Sequence, residues 1–309
     1  MGKTKFYTCR KDAAFKEVFM KEENKDILIP LLEKCLSIKI EDIEYLNLED
    51  NVDNVHVRRK SYDLRVQTKD TILQVEVNSN IYQLSRARQM SYITNEYSHY
   101  ITRGNGYSEE IQIVQINFTY GMLTNFSIKN RHLYDKESLR VYEVRDDKGK
   151  KFINIFKIYE FNMDYYMKFW YTNDKKKVEE NKLLIMMDLG LDELKEISKN
   201  DRVVSKYMEE IERVNEDPKF VHFMSEEEDR EKLMNYLLDR EKKQGIEEGI
   251  EKGIEKGIEK GIEKGREEGR EEKRKMIIQL YNNQVDIDII SKATGLTKEE
   301  INRIVAEKK

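Results

Sequence analysis

The sequence predicts an α/β fold, a sheet flanked by helices and followed by a helical C-terminal extension, and three observations carry that reading. Residues 62–66 and 72–78 each alternate apolar and polar side chains with period two across a short polar break, the pattern of half-buried β-strands. Residues 111–120 are dense in apolar and β-branched side chains and read as a buried strand that completes the same sheet. Apolar residues recur at i, i+3 and i+4 near the start of the chain, and the pattern from 182 to 240 is helical again.

In order along the chain, Phe15, Val18 and Phe19 give residues 12–19 the stripe of an amphipathic helix. A second helix runs from about Asp26 through Leu31, Leu32, Cys35 and Leu36, with Pro30 expected near its first turn, where a missing N–H is tolerated. The two alternating runs then form a hairpin. If Lys69-Asp70 is its two-residue loop, Val66 pairs with Leu73, Leu64 with Val75 and Tyr62 with Val77 on an apolar face. The opposite face carries Arg65 beside Gln74, and Asp63 opposite Glu76, with Asn78 on the same side. Directly opposed residues have Cβ atoms roughly 4.5–5.5 Å apart, and two carboxylates so placed repel unless a cation or proton lies between them. The arrangement points to a divalent metal; a solvated surface is the other reading of the same residues. Lys-Asp lacks the glycine a type I′ loop prefers, and a longer loop would shift the register.

Ser79 or Asn80 can cap a following helix that reaches Thr102 and stops at Gly104. Arg86 and Arg88 are two apart, so one is expected to face the carboxylates and the other solvent; Arg88 shares its side with Tyr92 at i+4. Residues 139–145 and 152–161, separated by Asp-Asp-Lys-Gly, form a second hairpin. Tyr165, Tyr166, Phe169, Trp170 and Tyr171 cluster at helical spacing, which reads as core in preference to a base-stacking surface. From 245 to 269 a glycine recurs every four residues, followed each time from Ile246 to Ile262 by isoleucine. Such a row drifts about 40° per repeat around an α-helix, and each glycine costs about 0.8–1.0 kcal/mol relative to alanine. A helix that needs a partner chain and a flexible charged linker both remain open. Thr297 with Glu300 three residues on is a capping box that starts a last helix. Glu299 and Glu300 in its first turn argue against a DNA-recognition helix, so 276–305 reads as a small helical cap for packing or pairing.

Composition narrows the classes. With 56 basic and 60 acidic residues among 309, the net charge is −4, so any contact with nucleic acid must be a local patch. Only Cys9 and Cys35 are present, with no CxxC spacing, which argues against a disulfide framework or a zinc site, and the four histidines lack paired spacing. No apolar run reaches the roughly 20 residues of a membrane span. A soluble protein of a reducing cytoplasm is expected.

Asp63, twelve intervening residues, then Glu76-Val77-Asn78 at a strand end and a helix carrying Arg86 and Arg88 resemble the PD-(D/E)XK nuclease core. More narrowly, Asp12-Ala13-Ala14-Phe15-Lys16-Glu17-Val18-Phe19, Arg88 with Tyr92 and Tyr97, the Ile-Glu-Lys-Gly repeats and the closing segment 290–304 look like the Rpn family of recombination-promoting nucleases and transposases. The resemblance implies a restriction-endonuclease-like mixed sheet flanked by helices and a metal-dependent DNA endonuclease. It implies that Asp63, Glu76 and the backbone carbonyl of Val77 hold Mg²⁺ or Mn²⁺, that Asn78 orients the attacking water, and that Arg88 and Tyr92 contact the phosphate. The first helix can lend the site a polar residue, with Asp12, Lys16 and Glu17 as candidates and Lys16 expected at the substrate. Two positions depart from the pattern: Tyr62 stands where the superfamily has Pro, and Asn78 where Lys or Gln is usual. Taken at face value, Asn78 gives the alternative of a catalytically weak or inactive DNA-binding or assembly module. The expected division is a nuclease-like domain at 1–240 with a helical subdomain from about 172, the repeat at 241–275, and a small helical segment at 276–309. DNA and a second copy of the chain, joined through the repeat, are the expected partners.

Overall fold

A computed structural model of the chain describes residues 5–48, 61–78, 86–101, 107, 110–121 and 137–306. They divide into two compact units, Met1–Glu226 and Glu227–Lys309.

The first unit opens with α1 (Asp12–Phe19), which buries Ala14, Phe15, Val18 and Phe19. A 3₁₀ turn, Glu22–Asn24, leads into α2 (Lys25–Leu36). Pro30 lies in the second turn of α2, not the first as expected. It forfeits the bond to the Asp26 carbonyl, and the helix persists because Ile27, Leu28, Leu31, Leu32, Cys35 and Leu36 are all buried along it.

Among the described residues six strands follow, with one helix among them: β1 (Glu44–Tyr45), β2 (Leu64–Gln67), β3 (Thr71–Asn78), α3 (Arg86–Tyr100), β4 (Gln112–Thr119), β5 (Leu139–Glu143) and β6 (Phe156–Asn162). They form a single mixed sheet in the order β1-β2-β3-β4-β6-β5. The central strands β3, β4 and β6 are parallel, and the outer pairings are antiparallel. β3 and β4 run the same way because the chain crosses over through α3 between them. The expected caps at Ser79 or Asn80 and the stop at Gly104 fall outside the described residues.

The central hairpin has the register read from the sequence: Leu64 pairs with Val75, Arg65 with Gln74 and Val66 with Leu73. Its loop is Lys69-Asp70, closed by the Thr68 N–H donating to the Thr71 carbonyl at 2.8 Å. The Thr71 N–H donates in turn to the Thr68 hydroxyl at 3.1 Å, so a side chain secures the loop without a glycine. Tyr62 departs from expectation. The ladder begins at Leu64, after a bend at Asp63, so strand alternation does not reach Tyr62. Its ring packs on Tyr92 of α3 with centroids 5.0 Å apart instead of extending the apolar face.

The second hairpin pairs β5 with β6, Val141 opposite Tyr159, around the turn in which Gly149 takes a left-handed φ of 81°. The helical part follows as α4 (Met163–Tyr171), α5 (Lys175–Ile185), α6 (Leu191–Ile197), α7 (Arg202–Glu216) and α8 (Pro218–Asn282). Asn162, Asp174 and Asp201 cap α4, α5 and α7 by accepting backbone N–H bonds. Of the aromatic cluster, Tyr166 is buried, Phe169 and Trp170 pack against the core, and Tyr171 is exposed.

The two faces of the sheet differ in chemistry. Leu64, Val66, Leu73, Val75, Val77, Val114, Ile116 and Phe118 join α1, α2 and α7 in the main core. The face toward α3 instead buries Arg65, Gln74, Glu76, Asn78, Gln115, Asn117, Thr119, Glu160 and Asn162, with an apolar contact of Ile93 on Ile113. There Arg65 donates to Glu96 of α3 at 2.7 Å, and Gln74 donates to the other oxygen of Glu96 at 2.9 Å.

In the second unit, the repeat at 245–269 is α-helical, and its isoleucines 246, 250, 254, 258 and 262 are 52–59% exposed. The helices α9 (Ile287–Thr294) and α10 (Lys298–Ala306) close a small core of Ile277, Ile290 and Ile301. The Thr297–Glu300 capping box forms, with the Thr297 N–H donating to Glu300 at 2.8 Å and the Glu300 N–H to the Thr297 hydroxyl at 3.2 Å. Among the described residues no helix is long and apolar enough to cross a membrane.

Glu96→Ala leaves the Arg65 guanidinium buried without its counter-ion. Breaking a buried pair in this way costs about 3–5 kcal/mol, so urea unfolding of the variant is expected to show a loss of that size. A loss under about 1 kcal/mol would mean that Arg65 reaches water.

Candidate active site

Strand β3 ends with three consecutive residues that alternate between the two faces of the sheet. Glu76 and Asn78 point to the α3 side, and Val77 points into the core. The bend before β2 sets Asp63 at the end of the ladder, where its Oδ2 accepts the Val77 N–H at 2.9 Å. Its Oδ1 meets the Lys16 ammonium at 2.9 Å. Lys16 comes from α1, whose apolar residues fix the helix on the other sheet face, so its long side chain reaches round the strand end to the carboxylate.

Glu76, 3% exposed, is approached from α3. The Arg88 guanidinium donates to its Oε2 at 3.3 Å and also, through two nitrogens, to the Tyr92 hydroxyl at 3.0 and 3.2 Å. Arg88 and Tyr92, one helical turn apart, therefore act as a unit that holds the guanidinium over Glu76. The second oxygen of Glu76, Oε1, is buried without a hydrogen-bond partner among the described residues. Asn78 donates to Asn117 Oδ1 at 3.4 Å, and Gln115 donates to the same oxygen at 3.1 Å.

The structure thus brings Asp63, Glu76, Val77, Lys16, Arg88 and Tyr92 together, with Asn78 on the adjoining polar row. Asp12 lies 4.0 Å from Lys16, and its charge is felt at Asp63; Glu17 is exposed. Arg86 contradicts the expectation that it faces solvent alone. It donates to Glu160 of β6 at 2.9 Å, because α3 lies above β4 and its two arginines diverge to the strands on either side. Sequence reading missed Gln115, Asn117 and Glu160. Their signal is a period-two polar series, 115-117-119 and 160-162, inside runs whose other positions are mostly apolar.

Burial dominates the electrostatics. It raises the Asp63 carboxyl against the pull of Lys16. It pushes Glu76 up to about 8, helped by the nearby Asp63 charge and opposed by Arg88. Burial works against the Lys16 ammonium, but Asp63 outweighs it and the pKa rises. The pair of carboxylates therefore retains a proton at neutral pH.

The donor set fits a hard divalent cation. Asp63 and Glu76 supply carboxylate oxygens, one of them without a partner among the described residues, and the Val77 carbonyl points to the same side of the strand as its N–H. Among the described residues no group of three or more His, Cys, Asp and Glu gathers to hold a metal, so an ion at this place would keep several waters, as Mg²⁺ does.

Because the folded pKa of Glu76, about 8, exceeds its ordinary 4.5, the folded state holds this proton more tightly than the unfolded chain. The resulting stability is complete below about pH 4.5 and is lost as pH rises through about 8. Asp188, raised to about 6 by burial, acts with the same sign at lower pH. The metal-free protein is therefore expected to lose melting temperature between about pH 6 and 8, and Glu76→Gln to remove that slope. Mg²⁺ affinity should rise over the same interval, since binding must expel the proton. A wild-type melting temperature that stays level across that interval would refute the shifted pair.

The family of PD-(D/E)XK nuclease family transposases matches this chain over residues 9–243. No curated protein and no solved structure matches it.

Proposed function

The chain belongs to the PD-(D/E)XK nuclease family transposases, and on that premise we propose that the Asp63–Glu76 centre is a metal-dependent endonuclease site that hydrolyses phosphodiester bonds of DNA. The observation that carries the reading is the convergence of Lys16 and the Val77 N–H on Asp63 beside a buried Glu76 with one oxygen unpartnered among the described residues.

Asp63, Glu76 and the Val77 carbonyl are the residues that would hold Mg²⁺ or Mn²⁺. Such an ion supplies Lewis-acid chemistry, lowering the pKa of water and stabilising charge on phosphate. The chain's own groups do the rest. Lys16 brings a positive charge from α1 to the carboxylates, which answers the absence of a lysine at position 78. A fixed ammonium near the scissile phosphate favours the charge that grows there, and preorganised groups of this kind commonly contribute more to catalysis than any other single effect. Arg88, steadied by Tyr92, releases its long 3.3 Å contact with Glu76 readily and takes a phosphate oxygen. Asn78 has no titratable group; it can orient water by a hydrogen bond but cannot act as a general base.

One observation favours a second reading, a nuclease-like module that binds DNA without cutting it: the Asn78 amide is engaged by Asn117. We further propose that the exposed isoleucines of the repeat join two copies of the chain, since apolar side chains in a row have no partner within one helix.

Plasmid nicking with Mg²⁺ or Mn²⁺ separates these readings. Wild type is expected to cut, Asp63→Ala to be inactive, and Lys16→Ala to lose on the order of 100-fold in rate. Wild type that binds DNA and never nicks it would establish the inert module. If Lys16→Ala cuts at the wild-type rate, the ammonium has no part in the chemistry. For self-association, truncation after Arg240 is expected to lower the sedimenting mass to that of one copy; an unchanged oligomer would remove the repeat from that role.

A further inference from the structure

The Arg88–Glu76–Tyr92 unit has a counterpart on the far side of β4. Glu160 of β6 stands in the same cross-strand row as Asn117 and Glu76, and only 4% of it is exposed. Its Oε2 accepts from the Arg86 guanidinium at 2.9 Å and from the Tyr142 hydroxyl of β5 at 3.0 Å. The Arg86 guanidinium lies over the Tyr142 ring, 4.3 Å from its centroid, as that of Arg88 lies over the Tyr92 ring at 5.1 Å. Each unit is a buried glutamate, an arginine from the first turn of α3 and a tyrosine that supports the guanidinium.

A buried carboxylate is costly unless it is paired. Glu160 is not among the carboxylates proposed to hold a metal, and it lies beyond the main apolar core, so neither role accounts for keeping it. What the pairing does achieve is to fix Arg86. With Glu160 on one edge and Tyr142 beneath, the guanidinium is held in one plane while the Arg86 side chain remains 47% exposed. Arg88, at 35%, presents itself in the same way. Strand spacings are about 4.8 Å, so the two glutamates, two strands apart, lie roughly 10 Å from each other. The two arginines are thus anchored at separate places across the sheet.

We infer that Arg86, anchored by Glu160 and Tyr142, is a second phosphate-binding position, which takes a different backbone phosphate of the DNA from the one held at Arg88. Nearly half of the Arg86 side chain is exposed, and a stacked arginine gives its N–H donors to a phosphate in a fixed plane where a lysine would not. The inference rests on the reading of the Asp63–Glu76 centre as one that acts on DNA. Its own content is the direction of the path: the nucleic acid passes the start of α3, from the β3 side toward the β6 side.

The test is equilibrium binding of the full chain to a fluorescein-labelled duplex in EDTA, read by anisotropy across a series of salt concentrations. Loss of one phosphate contact lowers the slope of log affinity against log salt by about one. Arg86→Gln is expected to show that loss, and Arg86→Lys to keep the slope. The double variant Arg86→Gln with Glu160→Gln removes the buried charge along with its partner and leaves net charge unchanged. It repeats the measurement if Arg86→Gln alone fails to fold, and is expected to lose the same slope. If the slope is unchanged in the glutamine variants while Arg88→Gln loses about one, Arg86 is a structural ion pair and the inference falls, with the nuclease reading intact. A slope lost at Arg86 in a protein that never cleaves DNA supports the position and sinks only the catalytic reading. A wild type that binds no DNA overturns both.

Discussion

Two carboxylates at the end of one strand pair repel each other unless positive charge reaches them, and the architecture of the first unit follows from how it is delivered. Lys16 arrives from a helix on the apolar face of the sheet, Arg88 from a helix on the polar face. Neither cation could approach if the hairpin were shifted by one residue, because every side chain of β3 would then change sides. The Thr68 hydroxyl that secures the Lys69-Asp70 loop is therefore part of the site, although it lies at the opposite end of the strands.

The polar face of the sheet carries a cost in stability. Several of its buried atoms, among them Glu76 Oε1, Asn117 Nδ2 and Thr119 Oγ1, have no hydrogen-bond partner among the described residues. Each such group costs on the order of 1–3 kcal/mol if it stays dry, so an apolar face would give a more stable sheet. The beneficiaries are the guanidiniums. Arg65 is paired with Glu96, Arg88 with Glu76 and Tyr92, Arg86 with Glu160 and Tyr142. One face of the sheet thus fixes positive charge at graded depths, from fully buried to half-exposed.

The hairpin was legible in the sequence because period-two alternation and a short loop leave one register that puts Leu64, Val66, Leu73 and Val75 together. The capping box at Thr297 was legible for the same reason, since it is a local pattern. Tyr62 was not, because alternation holds only within a ladder and the chain bends at Asp63. The insertion of β6 between β4 and β5 is a tertiary choice with no local trace. Arg86 and Glu160 are 74 residues apart in the chain, and nothing in either neighbourhood names the other. Asn117 was hidden by its setting: the apolar residues that alternate with it made the strand look uniformly buried. Lys16 and Arg88 came from the family resemblance, whereas helical spacing alone left open which of Arg86 and Arg88 faces solvent.

The glycine-isoleucine repeat of α8 has a geometric consequence of its own. A sequence that recurs every four residues maps onto itself under a screw of about 40° and about 6 Å along the helix axis. From Ile246 to Ile262 the isoleucines complete four such steps, so the row sweeps nearly half-way round the helix. A surface with screw symmetry carries no unique origin. Another helix laid along it meets equivalent contacts at each step, and what distinguishes one step from the next is only where the repeat begins and ends. Each added or deleted tetrapeptide therefore changes the length of the row by one equal increment and leaves its pitch unchanged.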